Sequence, residues 1–357
     1  MRPSLATLLP ACAALLLQSG CNTATTPAAT TTPAATGVPA THAAPTAPAA
    51  LRAPGIVSFH GRLRAEKARI VGADGKPVSL AGNSFFWSQW QGQYYTPEVV
   101  GWLKTNWRST IVRAALGVHE EDGYLQHPAE NLARVTRVID AAIAQDLYVI
   151  IDWHDHEAHR HTAQAVAFFS DMARRYGHQP HVIYEIFNEP QQVSWAKDVK
   201  PYAEQVIAAI RAIDPDNLII VGSPHWSQDV DVAAADPIKD ANVAYALHFY
   251  AGTQKQTLRN KAVKAMELGA ALFVTEWGPC NADGNGPIDD DSVKQWMAFM
   301  REYQLCHCVW SVSTKMETCS IIVPGASPKG GWKDSDLTES GRYAREYIRN
   351  WPGDTPQ

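Results

Sequence analysis

The sequence predicts a (β/α)8 barrel preceded by a β-hairpin, and three observations carry that reading. Eight short apolar runs alternate with amphipathic stretches between about residues 55 and 350. No glycine-rich phosphate turn follows the first run, as a doubly wound open sheet would require. Polar and aromatic residues gather where the runs end, the side of a barrel on which chemistry is assembled.

Taken in order, residues 61–82 alternate apolar and polar around Asp74-Gly75, the signature of a hairpin. The barrel strands are read at 80–84 (LAGNS), 109–114 (STIVRA), 147–154 (LYVIIDWH), 182–188 (VIYEIFN), 218–222 (LIIVG), 243–249 (VAYALHF), 272–277 (LFVTEW) and 307–312 (HCVWSV). Helices are expected at 97–105, 129–145, 162–176, 195–213, 258–268, 290–303 and 339–350, and the segment after Gly222 carries the weakest pattern.

The first fifty residues stand apart. Arg2 is their one Asp, Glu, Lys or Arg, and a 13-residue apolar stretch, Leu5 to Leu17, leads to Gln18-Ser19-Gly20-Cys21. That is the layout of an export signal, and it is too short to span a bilayer. Cys21 after Ser-Gly resembles a lipobox cysteine, which makes it the lipidation candidate, although Gln18 departs from that pattern. Thr, Ala and Pro then dominate to residue 50, with too little apolar surface for a core. The expected organisation is a signal at 1–20, a disordered tether at 21–54 and a catalytic domain at 55–353. The expected location is outside the cell, either secreted or held at the outer membrane by lipid.

A net charge of −5 without a basic run argues against nucleic acid as a partner. All twelve tryptophans lie at position 87 or beyond, offering flat faces as well as core bulk.

Read along one barrel mouth, the strand ends offer Arg113, His154, Asn188 with Glu189, His248 with Tyr250, Glu276 and Trp310. One glutamate at a strand end is ordinarily a solvated rim charge. Two, each following an apolar strand and each close to an aromatic residue, are what glycosidic bond cleavage needs: an acid for the leaving oxygen and a carboxylate for the oxocarbenium carbon.

The motifs LAGNSFFWSQW, STIVRA, VIIDWHDH, VIYEIFNEP, LHFYAGT, LFVTEWG and WSVSTKMET resemble, in order and spacing, those of glycoside hydrolase family 5, and most of all its bacterial endo-1,4-β-glucanases of subfamily 2. The resemblance covers about 60–350. It implies a (β/α)8 barrel that retains anomeric configuration, with Glu189 as acid/base and Glu276 as nucleophile. It further implies that Asn188 holds the 2-hydroxyl of the cleaved sugar and that Arg113 lies beneath the nucleophile. His154, His248 and Tyr250 would line the cleavage subsite, with Trp310 as its floor. Lys315 and Glu317 would bond the next sugar, and Trp87 and Trp226 would stack sugars further along. The Ser313-Thr314 spelling before Lys315 is uncommon in that family.

On this reading the substrate is β-1,4-glucan or a cello-oligosaccharide, the enzyme is a monomer, and no metal or cofactor is called for. Mannan, xylan and mixed-linkage glucan are alternatives within the family. A glycan-binding surface protein without catalysis is the alternative outside it. Arg113 should keep Glu276 ionised and leave Glu189 protonated. The histidines of HDHEAHRH (154–161) are read as one site residue and a polar loop, not as metal ligands. Glu185, inside a strand, should be tied to an interior Arg or His. Since the seventh and eighth barrel strands are neighbours, the loops after them should carry a Cys280–Cys319 disulfide, against two separate buried thiols. Cys306 and Cys308 are expected to remain thiols, because side chains two apart on a strand point the same way with their Cβ atoms too far apart to bridge.

Overall fold

The computed structural model describes residues 55–351. The assignments made for 1–54, including Cys21, lie outside the described residues. Eight parallel strands close into a barrel: β3 (Ala81–Phe85), β4 (Ile111–Gly117), β5 (Tyr148–His154), β6 (Val182–Glu185), β7 (Ile219–Val221), β8 (Val243–Tyr250), β9 (Leu272–Gly278) and β10 (His307–Val312). Neighbouring strands follow chain order, and β10 closes on β3 with Cys308 opposite Gly82.

Helices return the chain between strands at Pro128–Ala144, Thr162–Tyr176, Lys200–Arg211, Gln256–Glu267 and Asp290–Glu302, with Glu339–Arg349 closing the fold. Several starts are written locally. Thr96 accepts from Val99 N ahead of Pro97, Asp289 from Ser292 N, and Thr338 from Gly341 N. Each such cap contributes about 1 kcal/mol by satisfying an otherwise orphaned N–H.

Apolar side chains between strands and helices form the main core, and Trp107, Trp153, Trp277 and Trp296 are fully buried in it. Phe249 stacks on Trp296 with centroids 3.9 Å apart. Packing therefore accounts for part of the tryptophan content.

Two local expectations change. The hairpin β1 (Arg64–Glu66) and β2 (Arg69–Val71) turns at Lys67-Ala68, both at positive φ, as a two-residue I′ connection needs. Asp74-Gly75 instead closes the smaller loop joining Val71 to Pro77. After Gly222 the chain makes a left-handed turn at Pro224–Ser227 and then a short helix, Val230–Ala235.

Candidate active site

Arg113 on β4 is fully buried and organises the mouth of the barrel. Its Nε donates to Glu185 Oε2 at 2.7 Å, Nη1 to Glu276 Oε2 at 3.0 Å, and Nη2 to Asn188 Oδ1 at 2.6 Å. Asp152 Oδ2 lies 3.0 Å from Nη2. One guanidinium thus faces three buried carboxylates, which hold it charged despite its burial. Glu185 has the interior partner expected of it.

Because Asn188 gives its oxygen to Arg113, its Nδ2 points away, buried and without a partner among the described residues. An orphaned donor at a strand end is suited to a ligand hydroxyl.

The two glutamates meet across this floor. Glu276 Oε2 takes Arg113 and Oε1 takes the Tyr250 hydroxyl at 2.6 Å. Burial and the Glu276 charge push the Tyr250 phenol far above its ordinary value, so it keeps its proton and donates. Glu189 Oε1 lies 2.9 Å from His248 Nδ1, and Oε2 lies 3.3 Å from His156 Nε2. Glu189, His248 and Glu276 each bring one atom to within 4.8 Å of the others. Those atoms could also hold a cation, but their contacts to one another and to Arg113 and Tyr250 form an arrangement for moving protons.

Protons are distributed differently from the expectation. Burial alone would raise Glu189, but hydrogen bonds from His156 and His248 outweigh it and hold the carboxyl below its ordinary range. Burial and the charge of Glu189 raise Glu276. Burial disfavours the His248 cation, yet the neighbouring Glu185 and Glu189 carboxylates lift it to about 9. Two imidazoles, and not Arg113 alone, set the charge state of Glu189. The proton assigned to Glu189 is therefore shared with His248.

The direction of that sharing is fixed from below. Thr275 Oγ1 donates to Glu185 Oε1 at 2.7 Å and so accepts from His248 Nε2, also at 2.7 Å. Neutral His248 then carries its lone pair on Nδ1, toward Glu189, and a proton can pass between them without a ring flip.

Aromatic walls extend the cleft. Trp310 lies parallel to His154, with centroids 5.2 Å apart, and packs on Phe86. Trp87 lines the cleft but is only 7% exposed and meets His154 edge-on at 4.3 Å. Trp90, 44% exposed on the same wall, presents the more open ring. Trp226, 37% exposed, stands beyond Glu189 beside Gln228 and Gln254. Lys315 Nζ pairs with Glu317 Oε2 at 2.6 Å and sits over Phe86.

The Cys280–Cys319 disulfide joins the loops after β9 and β10, with Cα atoms 6.4 Å apart, while Cys306 and Cys308 are buried and not disulfide-bonded. Gly278 lets this region close up. A Cβ there would come within 2.5 Å of the Tyr250 ring and 2.7 Å of Cys319 Sγ.

All the site residues expected of the barrel therefore line or floor one mouth. Sequence reasoning missed Asp152, His156, Thr275 and Trp90. Asp152 and Thr275 sit inside apolar strands and His156 inside the polar loop, whereas Trp90, in the quoted SFFWSQW run, was legible as an aromatic and passed over for Trp87.

A cellulase-family sequence model (glycosyl hydrolase family 5) matches residues 71–316. The chain is 54% identical over 280 residues to endoglucanase Z of Dickeya dadantii, covering 78% of this chain and 64% of that protein. It is 42% identical over 309 residues to endoglucanase N of Pectobacterium atrosepticum, covering 84% and 69%. It thus spans just under two thirds of the Dickeya protein's length. A solved structure from Cytophaga hutchinsonii matches with a TM-score of 0.82 at 51% identity, covering 83% of this chain and 96% of that one. The catalytic domain of a Thermobifida fusca endoglucanase matches with a TM-score of 0.79 at 33% identity, covering 84% and 100%, and has also been solved with cellotetraose. With the family match spanning most of the barrel and these identities beside it, the chain belongs to the cellulase family, glycosyl hydrolase family 5.

Proposed function

We propose that this protein is an endo-1,4-β-glucanase that retains anomeric configuration through a glycosyl-enzyme intermediate. The observation that carries this reading is the Glu189–Glu276 pair, whose carboxylate oxygens approach within 4.8 Å. Retaining hydrolases hold their carboxyls roughly 5–5.5 Å apart, whereas inverting ones leave roughly 6.5–9.5 Å for a water. The cellotetraose bound by the Thermobifida catalytic domain supports a cello-oligosaccharide as ligand here too.

In this reading Glu276, aimed by Arg113 and Tyr250, attacks the anomeric carbon while the Glu189–His248 pair protonates the departing oxygen. Esterification removes the Glu276 charge. Glu189 then accepts a proton from the water that attacks the anomeric carbon and displaces the Glu276 carboxylate, and the sugar leaves with its original configuration. The unpartnered Asn188 Nδ2 would donate to the 2-hydroxyl. Trp310 provides the floor, with Trp90 and Trp226 as outlying platforms and Lys315 and Glu317 between. With His248 lifted to about 9, the pair keeps its proton up to roughly that pH and loses it above, so the first step should fail on the alkaline side.

Purified protein should release reducing ends from carboxymethylcellulose and rapidly lower its viscosity, with less turnover of mannan and xylan. Preferred turnover of either of those would overturn the substrate, and no turnover of any glycan would overturn the enzyme. We propose further that residues 1–20 export the chain, that Cys21 is lipidated, and that 21–54 tether the catalytic domain at the outer membrane. The nearly uncharged leader and the Thr/Ala/Pro composition support this.

A further inference from the structure

The run HDHEAHRH (154–161) enters the site through His154 and through the contact of His156 with Glu189. His154 ends β5 and bonds Asp152 through Nδ1 at 2.7 Å. Asp155 turns inward and is fully buried. Its oxygens lie 2.6 Å from His119 Nδ1 and 2.7 Å from His161 Nδ1, and it accepts the Glu157 N–H at 2.8 Å. Three contacts to one buried carboxylate fix the backbone on both sides of the next histidine. His156 itself lies in the cleft, its ring edge-on to Trp87 at 5.5 Å and its Nε2 3.3 Å from Glu189 Oε2. His248 holds the opposite oxygen of the same carboxylate.

We propose that His156 is a positioning residue for catalysis: held by the Asp155 anchor, it clamps Glu189 from the side opposite His248 and sets the pH range over which that carboxyl can serve as acid and then as base. This rests on Glu189 being the acid/base.

A chance imidazole on a polar loop would pair with a rim carboxylate. This one pairs with the acid/base candidate, and the residue before it is buried to hold the loop. The groups facing His156 are Glu189 and Glu276 from the barrel mouth, His119 from the loop after β4, and His154 from its own strand, with ring centroids 6.2 Å from His119 and 6.4 Å from His154. Burial and the neighbouring His119 work against its cation. Glu189 and Glu276 outweigh them, so His156 is raised above an ordinary imidazole.

The consequence is directional. A cation beside Glu189 favours the ionised carboxylate. That form is the one needed in the second step, once the proton has gone to the leaving oxygen and water must be deprotonated. The same cation makes the carboxyl surrender its first proton at lower pH. Removing it should therefore move both limbs of the activity profile upward. A variant that only loosens the loop would lower the profile without moving it.

The test compares His156→Asn, His156→Lys and Glu189→Ala with the parent on carboxymethylcellulose and an aryl cellobioside, across pH, with thermal melting as the folding control. His156→Asn should shift both limbs of kcat upward by roughly one unit, the scale of losing one close opposite charge. His156→Lys, which restores a cation, should bring them back. Limbs that stay in place in a folded His156→Asn, or that His156→Lys fails to restore, overturn the proposal. Glu189→Ala separates the two claims. Full carboxymethylcellulose turnover there sinks the acid/base reading itself. Loss of turnover there with unmoved His156→Asn limbs sinks only the clamp.

Discussion

At the scale of single residues, the site turns on how one buried guanidinium is shared. Arg113 gives one N–H to Glu276 and others to Ser84, Glu185 and Asn188, with Asp152 beside it, so most of its contacts are to groups other than the nucleophile. Those contacts keep the arginine from following Glu276 when the ester forms. Glu276→Ala should lower turnover on the order of 10⁴–10⁶-fold while leaving cello-oligosaccharide binding in place, because the aromatic platforms are untouched. Added azide should restore part of the rate and yield an inverted glycosyl azide, since a small anion can enter the vacated face. Azide that changes nothing in a folded, binding-competent variant would count against Glu276 as nucleophile. Glu189→Ala should instead keep substantial turnover of substrates whose leaving group needs no proton, read on a dinitrophenyl cellobioside.

At the scale of elements, strands and helices were legible because their periods are regular and their helix starts carry Thr-Pro, Asp and Thr caps. What escaped were features set by tertiary contact. Lys67-Ala68 has no turn chemistry of its own and takes positive φ because the two strands pair around it. Asp152 and Thr275 read as strand residues until the closed barrel puts them beside Arg113, His154 and His248. The Cys280–Cys319 link was legible, since adjacent strands release adjacent loops. Its contribution can be measured. The bridge spans 39 residues, and opening it should cost roughly 4 kcal/mol on the chain-entropy account. A Cys280→Ser/Cys319→Ser double variant should therefore melt on the order of 10 °C lower. Because the loop also carries Lys315 and Glu317, KM for longer cello-oligosaccharides should rise several-fold while kcat changes less. An unchanged melting temperature together with an unchanged KM would show that the loops hold each other without the bond.

At the scale of the whole molecule, parallel strands sort everything onto two faces. The cleft occupies the face where the strands end. The chain enters at the other one: Ser58 N bonds Asp146 Oδ2 at 3.2 Å, and the Tyr148 hydroxyl bonds Gly61 O at 2.6 Å, both at the start of β5. Residue 55, the first described, therefore lies on the face opposite the cleft. Residues 21–54 could span at most about 120 Å at full extension. If Cys21 carries the lipid, the parent protein should fractionate with membranes after expression in a bacterium that processes lipoproteins. Cys21→Ser should appear in the soluble fraction with the same kcat/KM on soluble cello-oligosaccharides, since nothing at the cleft has changed. A single acyl chain binds only marginally, so stable membrane association requires the several chains of a processed lipoprotein, and mass measurement of the N-terminal peptide should show them. A parent protein that is soluble at every stage, with an unmodified Cys21, would leave plain secretion as the answer.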